Sequence, residues 1–219
     1  MSGILHFETF IVAGILLNLT PGNDTIFILT KSISQGRRAG IISALGIGTG
    51  SIVHTLLAAF GLSIIVAKSI LVFSIIKYVG AAYLLYLGYK MITNRTIWSP
   101  KDITLLSIRY GIIYREAMLT NILNPKVALF YMAFLPQFID PYAGSTILSF
   151  ILLGATFTST GTVWGFVLAV FASAIFSRLR ESHSLGGYLN KICGLALIGL
   201  GIGLAFSGYG RTSKQGLIP

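Results

Sequence analysis

Apolar residues fill long runs separated by short polar stretches, at about residues 4–30, 40–67, 69–92, 114–138, 145–176 and 188–207. A helix needs roughly 20 apolar residues to cross a hydrocarbon core of about 30 Å. Only a helix or a closed barrel satisfies its own backbone there. The pattern predicts an all-α integral membrane protein with six transmembrane helices. Two runs are broken from within: the first at Thr20-Pro21-Gly22-Asn23-Asp24, the fourth at Asn121-Ile122-Leu123-Asn124-Pro125-Lys126. Proline removes a backbone donor and clashes with the carbonyl four residues earlier. A carbonyl freed in this way is tolerated in a bilayer only where protein or a water-filled cavity meets it. Each break therefore offers free polar groups to a ligand.

Composition narrows this picture. Of 219 residues 54% are hydrophobic and 10% charged, with a mean hydropathy of +0.83. Soluble domains carry about 25% charged residues, so a soluble monomer is excluded, and six spans leave little for an extramembrane domain. The single Cys193 excludes an intrachain disulfide and a thiolate metal cluster. A formal charge of +10 without a long basic run is read as topology, not as nucleic-acid binding. The first run has no Lys or Arg before Lys31 and does not resemble a signal peptide, so it is expected to remain in the mature protein.

Lys31, Arg37 and Arg38, then Lys90 through Arg115, then Arg178, Arg180 and Lys191 fall on one side of six spans, against Lys68, Arg211 and Lys214 on the other. Basic residues accumulate in the cytoplasm, which places both termini on the non-cytoplasmic side. With three spans per half, the second half enters the membrane inverted. The expected layout is two inverted-topology three-helix repeats, 1–92 and 114–207. They are joined by a cytoplasmic segment, 93–113, whose part Ile103–Ile113 is either an interfacial helix or a plain linker, and a disordered tail follows over 208–219.

Paired broken helices in corresponding positions of two halves are the best sequence pointer to a transporter binding site. Asp24 is the acidic residue deep in the first run, where an ionised carboxylate is costly and suited to loading and releasing a proton. Its plainer reading is an N-cap for the restarted helix. Lys126 can bind a substrate carboxylate or pair with Asp24, against snorkelling to the interface. Asn18, Asn121 and Asn124 lie near the breaks and either complete a polar site or bridge backbone groups. His54, Lys77 and Thr160 are candidate pathway residues, with packing, snorkelling and interhelical hydrogen bonding as the plainer readings. The Gly46/Gly50, Gly161/Gly165 and Gly199/Gly203 pairs have the spacing of close helix packing.

Four stretches in order, Thr20 to Asp24, Gly80 to Gly88, Asn121 to Lys126, and Phe134-Leu135-Pro136-Gln137-Phe138, together resemble the lysine exporter (LysE/RhtB) family over about residues 4–207. Asn23 stands where that family's first motif usually has a second proline. The resemblance implies export of amino acids from the bacterial cytoplasm across the inner membrane, driven by proton antiport, with no cofactor and no catalytic role. It points to Pro21, Gly22 and Asp24, and to Asn124, Pro125 and Lys126. With one deep acid, a neutral substrate such as homoserine, threonine or a leucine-like compound is favoured over lysine. The expected partners are that substrate, protons and lipid, with a homo-oligomer as an option. The competing readings are metal-ion efflux, for which no soft-metal site is evident, and an intramembrane serine hydrolase using Ser51 and His54, three residues apart on one helical face.

Overall fold

The computed structural model describes residues 3–62, 70–93, 109–140, 146–181 and 183–206. Helices α1 (Phe7–Leu19) and α2 (Asn23–Gln35) form a pair bent by 50°, and α3 (Arg37–Leu57) continues as a π-helix over Ala58–Leu62. Then come α4 (Ile70–Thr93), α5 (Tyr110–Ile122) and α6 (Pro125–Leu129). A π-turn (Phe130–Phe134) and a 3-10 turn (Leu135–Phe138) follow, before α7 (Thr146–Glu181) and α8 (His183–Phe206). The stretch Pro125–Phe138 is bent by 46° against α5. By length and apolarity, α3 with its π-helix and the Thr146–Ala172 part of α7 can each cross a membrane, and each bent pair can do so as one broken span.

The breaks follow from local chemistry. α1 stops at Thr20 because Pro21 has no N–H to give the carbonyl of Leu17. α6 starts on Pro125, a favoured first helical position, with the Asn124 side chain accepting from the Lys126 N–H at 3.1 Å. Gly36 joins α2 to α3 at φ +86°, a conformation that costs glycine little.

The two bent pairs run antiparallel. At one end Lys31 of α2 forms an ion pair with Glu116 of α5 at 2.9 Å, and the Arg38 guanidinium lies 4.9 Å from the Tyr110 ring centroid. At the other end Gly3–Leu5 pairs with Phe138–Asp140 through the Leu5 N–H to Phe138 and the Asp140 N–H to Gly3, each 2.8 Å. Beneath that end Phe10, Phe130, Phe134, Phe138 and Phe157 pack ring on ring, the closest centroids 4.4 Å apart. Tyr110–Ile113, which the sequence assigned to the connecting segment, form the first turn of α5. The rest of that segment from residue 94 to 108 and the tail after 206 lie outside the described residues.

α3 packs on α5 and α7, while α4 packs on α8. Small residues set the α3–α5 distance. A Cβ on Gly50 would stand 2.7 Å from Asn121 Oδ1 and 2.9 Å from the Met118 carbonyl oxygen, and one on Gly46 would collide with the Tyr114 carbonyl. Gly165 makes a similar approach to Ala44. A Cβ on Gly199 or Gly203 would meet nothing within 4 Å among the described residues, whereas Gly194 and Gly201 carry the contact of α8 with α4. Accordingly, Gly50→Ala should lower stability by about 1–3 kcal/mol through overpacking, whereas Gly203→Ala should stay within about 1 kcal/mol of the parent. Thermal unfolding of the two variants in one detergent checks this, and a tolerated Gly50→Ala would refute the close-packed α3–α5 interface.

Candidate functional site

Both breaks meet on one small cavity. It has a volume of about 40 Å³ and is lined by Asn18 of α1, Asp24 and Ile28 of α2, Gly48 and Ser51 of α3, Asn121 of α5, Lys126 of α6, and Phe157, Thr162 and Trp164 of α7, among others. That is room for about three waters, less than an aliphatic amino acid requires. In this conformation the site is closed to a substrate of that size.

Lys126 reaches across from the second break to the first. Its ammonium donates to the carbonyls of Leu17 at 3.0 Å and Thr20 at 2.9 Å. Leu17 lies four residues before Pro21, so this is the carbonyl that the proline leaves free. On its way the lysine lies against Gly22, where a Cβ would sit in ordinary contact with it, 3.4 Å from Nζ. Snorkelling is thereby replaced by an inward, capping role.

Asp24 does not cap α2. The N-cap is Gly22, which has no side chain, and the Asp24 carboxylate turns to α5, where Oδ2 accepts from Asn121 Nδ2 at 2.8 Å. Oδ1 is buried and has no hydrogen-bond partner. The Lys126 ammonium is a nearby positive group for the carboxylate. Asn124 adjoins it, but the Asn124 side-chain N–H groups make no hydrogen bond. Two further buried polar atoms stand without partners among the described residues, the indole N–H of Trp164 on the cavity wall and Gln35 Oε1.

Asn121, 1% exposed, is the hub. Its Oδ1 accepts from Ser51 at 3.4 Å and its backbone carbonyl faces His54 Nε2 at 3.2 Å. His54 also stacks on Tyr131, centroids 5.5 Å apart, and the Tyr131 hydroxyl is held by Thr55 at 3.0 Å and Thr158 at 3.3 Å. Ser51 and His54 thus both turn to Asn121 and not to each other, which removes the nucleophile–base geometry that a hydrolase needs.

The structure therefore gathers Asn18, Pro21, Gly22, Asp24, Asn121, Asn124, Pro125 and Lys126 around the two breaks, with His54 behind Asn121. It does not bring Lys77 there: that residue is buried on α4 with its ammonium 4.6 Å from the Tyr78 ring. Thr160 accepts from Asn18 at 3.2 Å and lines a separate apolar hollow of about 370 Å³ behind the cavity, where Asn18 and Trp164 form the common wall. Trp164, Tyr131 and Thr158 were not singled out from the sequence. An aromatic or threonine in an apolar helix has no distinctive spacing, and only their buried polar atoms mark them.

A membrane-embedded bundle with two broken helices meeting at buried charges is the architecture of a translocator, in which half-helix ends and unwound backbone form the binding site. The chain belongs to the LysE-type translocator family, whose sequence profile matches residues 15–208, and it is a transporter and not an enzyme. It is 30% identical over 203 residues to the leucine efflux protein of Salmonella typhimurium strain LT2, covering 93% of this chain and 96% of that protein. It is 31% identical over 201 residues to the uncharacterized membrane protein YrhP of Bacillus subtilis strain 168, covering 88% and 95%. No solved structure matches it significantly.

The capping geometry makes a test. Lys126→Met leaves the Leu17 and Thr20 carbonyls uncapped and Asp24 without its cation, so it should cost about 3 kcal/mol; Asn124→Ala removes only a helix cap and should cost about 1 kcal/mol. Unfolding of the two variants in detergent measures the difference, and equal small losses would show that the ammonium does not hold the break.

Proposed function

We propose that the protein exports a neutral, aliphatic amino acid from the bacterial cytoplasm by proton antiport, with alternating access around the cavity between the two breaks. The observation that carries this is the division of labour within Asp24: one oxygen is held by Asn121 and the other is buried without a partner. A substrate ammonium and a proton then compete for the same atom, Oδ1. The substrate carboxylate goes to Lys126, and the apolar lining of Ile28, Ile47, Val127, Phe157 and Leu168 receives an aliphatic side chain. The leucine efflux relatives support the same substrate class.

Mutually exclusive occupation couples the two fluxes if the proton-loaded and substrate-loaded forms favour opposite-facing states. The cavity is too small for substrate as it stands, so each half-cycle opens one side, with the 50° and 46° bends as the natural hinges. Among the described residues no group of three or more metal-ligating side chains converges.

The layout proposed with this function is six spans in two inverted repeats, 1–92 and 114–207. Its supports are the recurrence of bent pair, long helix and 24-residue helix, and the antiparallel course of the two bent pairs. A 24-residue helix is about 36 Å long, enough to span. Lys31, Arg38 and Glu116 mark the proposed cytoplasmic end, with both chain termini on the far side.

Efflux of radiolabelled neutral and basic amino acids from preloaded cells, with and without an uncoupler, tests the reading. Uncoupler-sensitive export of the aliphatic neutral class is expected, and Asp24→Asn should abolish it while the protein remains in the membrane. Undiminished export by that variant would end the proton-site assignment. Separately, alkaline phosphatase fused to the C-terminus should be active, since the enzyme works only outside the cytoplasm; an inactive fusion on a well-inserted protein would reverse the topology.

A further inference from the structure

Each proline takes the helical donor from one particular carbonyl, four residues earlier, and each of these two carbonyls is met by a titratable side chain from the other half of the chain. Pro21 frees the carbonyl of Leu17, and Lys126 donates to it at 3.0 Å. Pro125 frees the carbonyl of Asn121, and His54 Nε2 lies 3.2 Å from it. A carbonyl oxygen only accepts, so Nε2 carries the proton and donates. The Asn124 N–H also reaches this oxygen, at 3.0 Å, using its other lone pair.

We propose that His54 is a positioning residue for transport: by capping the carbonyl that Pro125 frees on Asn121, it fixes the amide that holds Asp24 and, with the reciprocal cap from Lys126, latches the two broken helices in the closed state. Three observations converge on this. His54 is buried, at 7% exposed, so its hydrogen bond is not exchanged with bulk water. The remaining groups of Asn121 are engaged as well, Oδ1 by Ser51 and Nδ2 by Asp24 Oδ2, so a shift of its backbone moves the carboxylate's anchor. Tyr131 on the π-turn stacks on the imidazole, centroids 5.5 Å apart, while Nε2 faces the Asn121 carbonyl. Opening either face requires a bend to change, and a bend cannot change freely while its freed carbonyl is held from the opposite half.

Two substitutions separate this role from packing. His54→Phe keeps the ring and its stack on Tyr131 but deletes the donor. His54→Gln loses the ring but can place an amide N–H near the position of Nε2. They are compared in full-length protein carrying Cys193→Ser and a reporter, Thr162→Cys, on the cavity wall. Labelling by a small membrane-permeant thiol reagent reads how often the cavity opens, and efflux reads transport. His54→Phe should raise the labelling rate about tenfold and lower the maximal export rate by a similar factor with little change in KM, whereas His54→Gln should stay within about twofold of the parent in both. Parent-like behaviour of His54→Phe, equal impairment of both variants, or the reverse order would each overturn the proposal. The export readout rests on the proposed function, but the labelling needs no substrate. A chain that exports no amino acid would therefore refute that function while leaving the latch to be judged on labelling alone.

Discussion

A backbone carbonyl without a donor is the constraint from which the rest of this structure follows. In lipid such a group costs several kcal/mol, and Pro21 and Pro125, placed inside spans, each take the donor from a carbonyl four residues earlier. Neither half supplies the whole remedy for its own break. Leu17 takes a charged donor from Lys126, and Asn121 takes His54 beside a local turn. The broken helices are therefore complete only against each other, and the packing serves that end. Gly46 and Gly50 bring α3 so close to α5 that Ser51 and His54 reach Asn121.

The same arrangement gives Asp24 its chemistry. A carboxylate with both oxygens satisfied would be a structural ion, and one with both free would be too costly to bury beside apolar side chains. Asn121 settles one oxygen, while Lys126 offsets the charge from a position where its own hydrogen bonds hold the first break. The site is thus held in register by groups that a substrate would also need, which is how binding can be felt by the hinges.

Much of this was legible because certain residues carry few meanings in a membrane. Proline in a span has one consequence, so Pro21 and Pro125 located both breaks, and Asp24 and Lys126 stood out because charge there is rare. The two bent pairs run antiparallel, with Lys31 and Arg38 together at one end. What stayed hidden depends on which face meets which neighbour. Among the described residues the same glycine spacing makes a tight contact at Gly46/Gly50 and none at Gly199/Gly203. Ser51 and His54 share a helical face as a nucleophile and base would, yet a third residue takes both. Trp164 shows itself only through a buried N–H with no acceptor.

Charge balance gives the proposed substrate class its physical basis. Asp24 and Lys126 together leave the closed cavity neutral, and a zwitterion adds an ammonium to the one and a carboxylate to the other without changing that sum. Lysine would add a second ammonium, yet among the described residues Asp24 is the only carboxylate on the cavity, so the extra charge would be desolvated without a partner at a cost of several kcal/mol. A proton on Oδ1 removes the charge opposite the ammonium of Lys126, whose two carbonyl partners at the first break continue to hold it. In the proposed cycle the proton-loaded form thereby keeps the contact between the breaks and the substrate-loaded form draws Lys126 away from it. That difference in the same hydrogen bonds is what allows one cavity to favour opposite states with its two ligands.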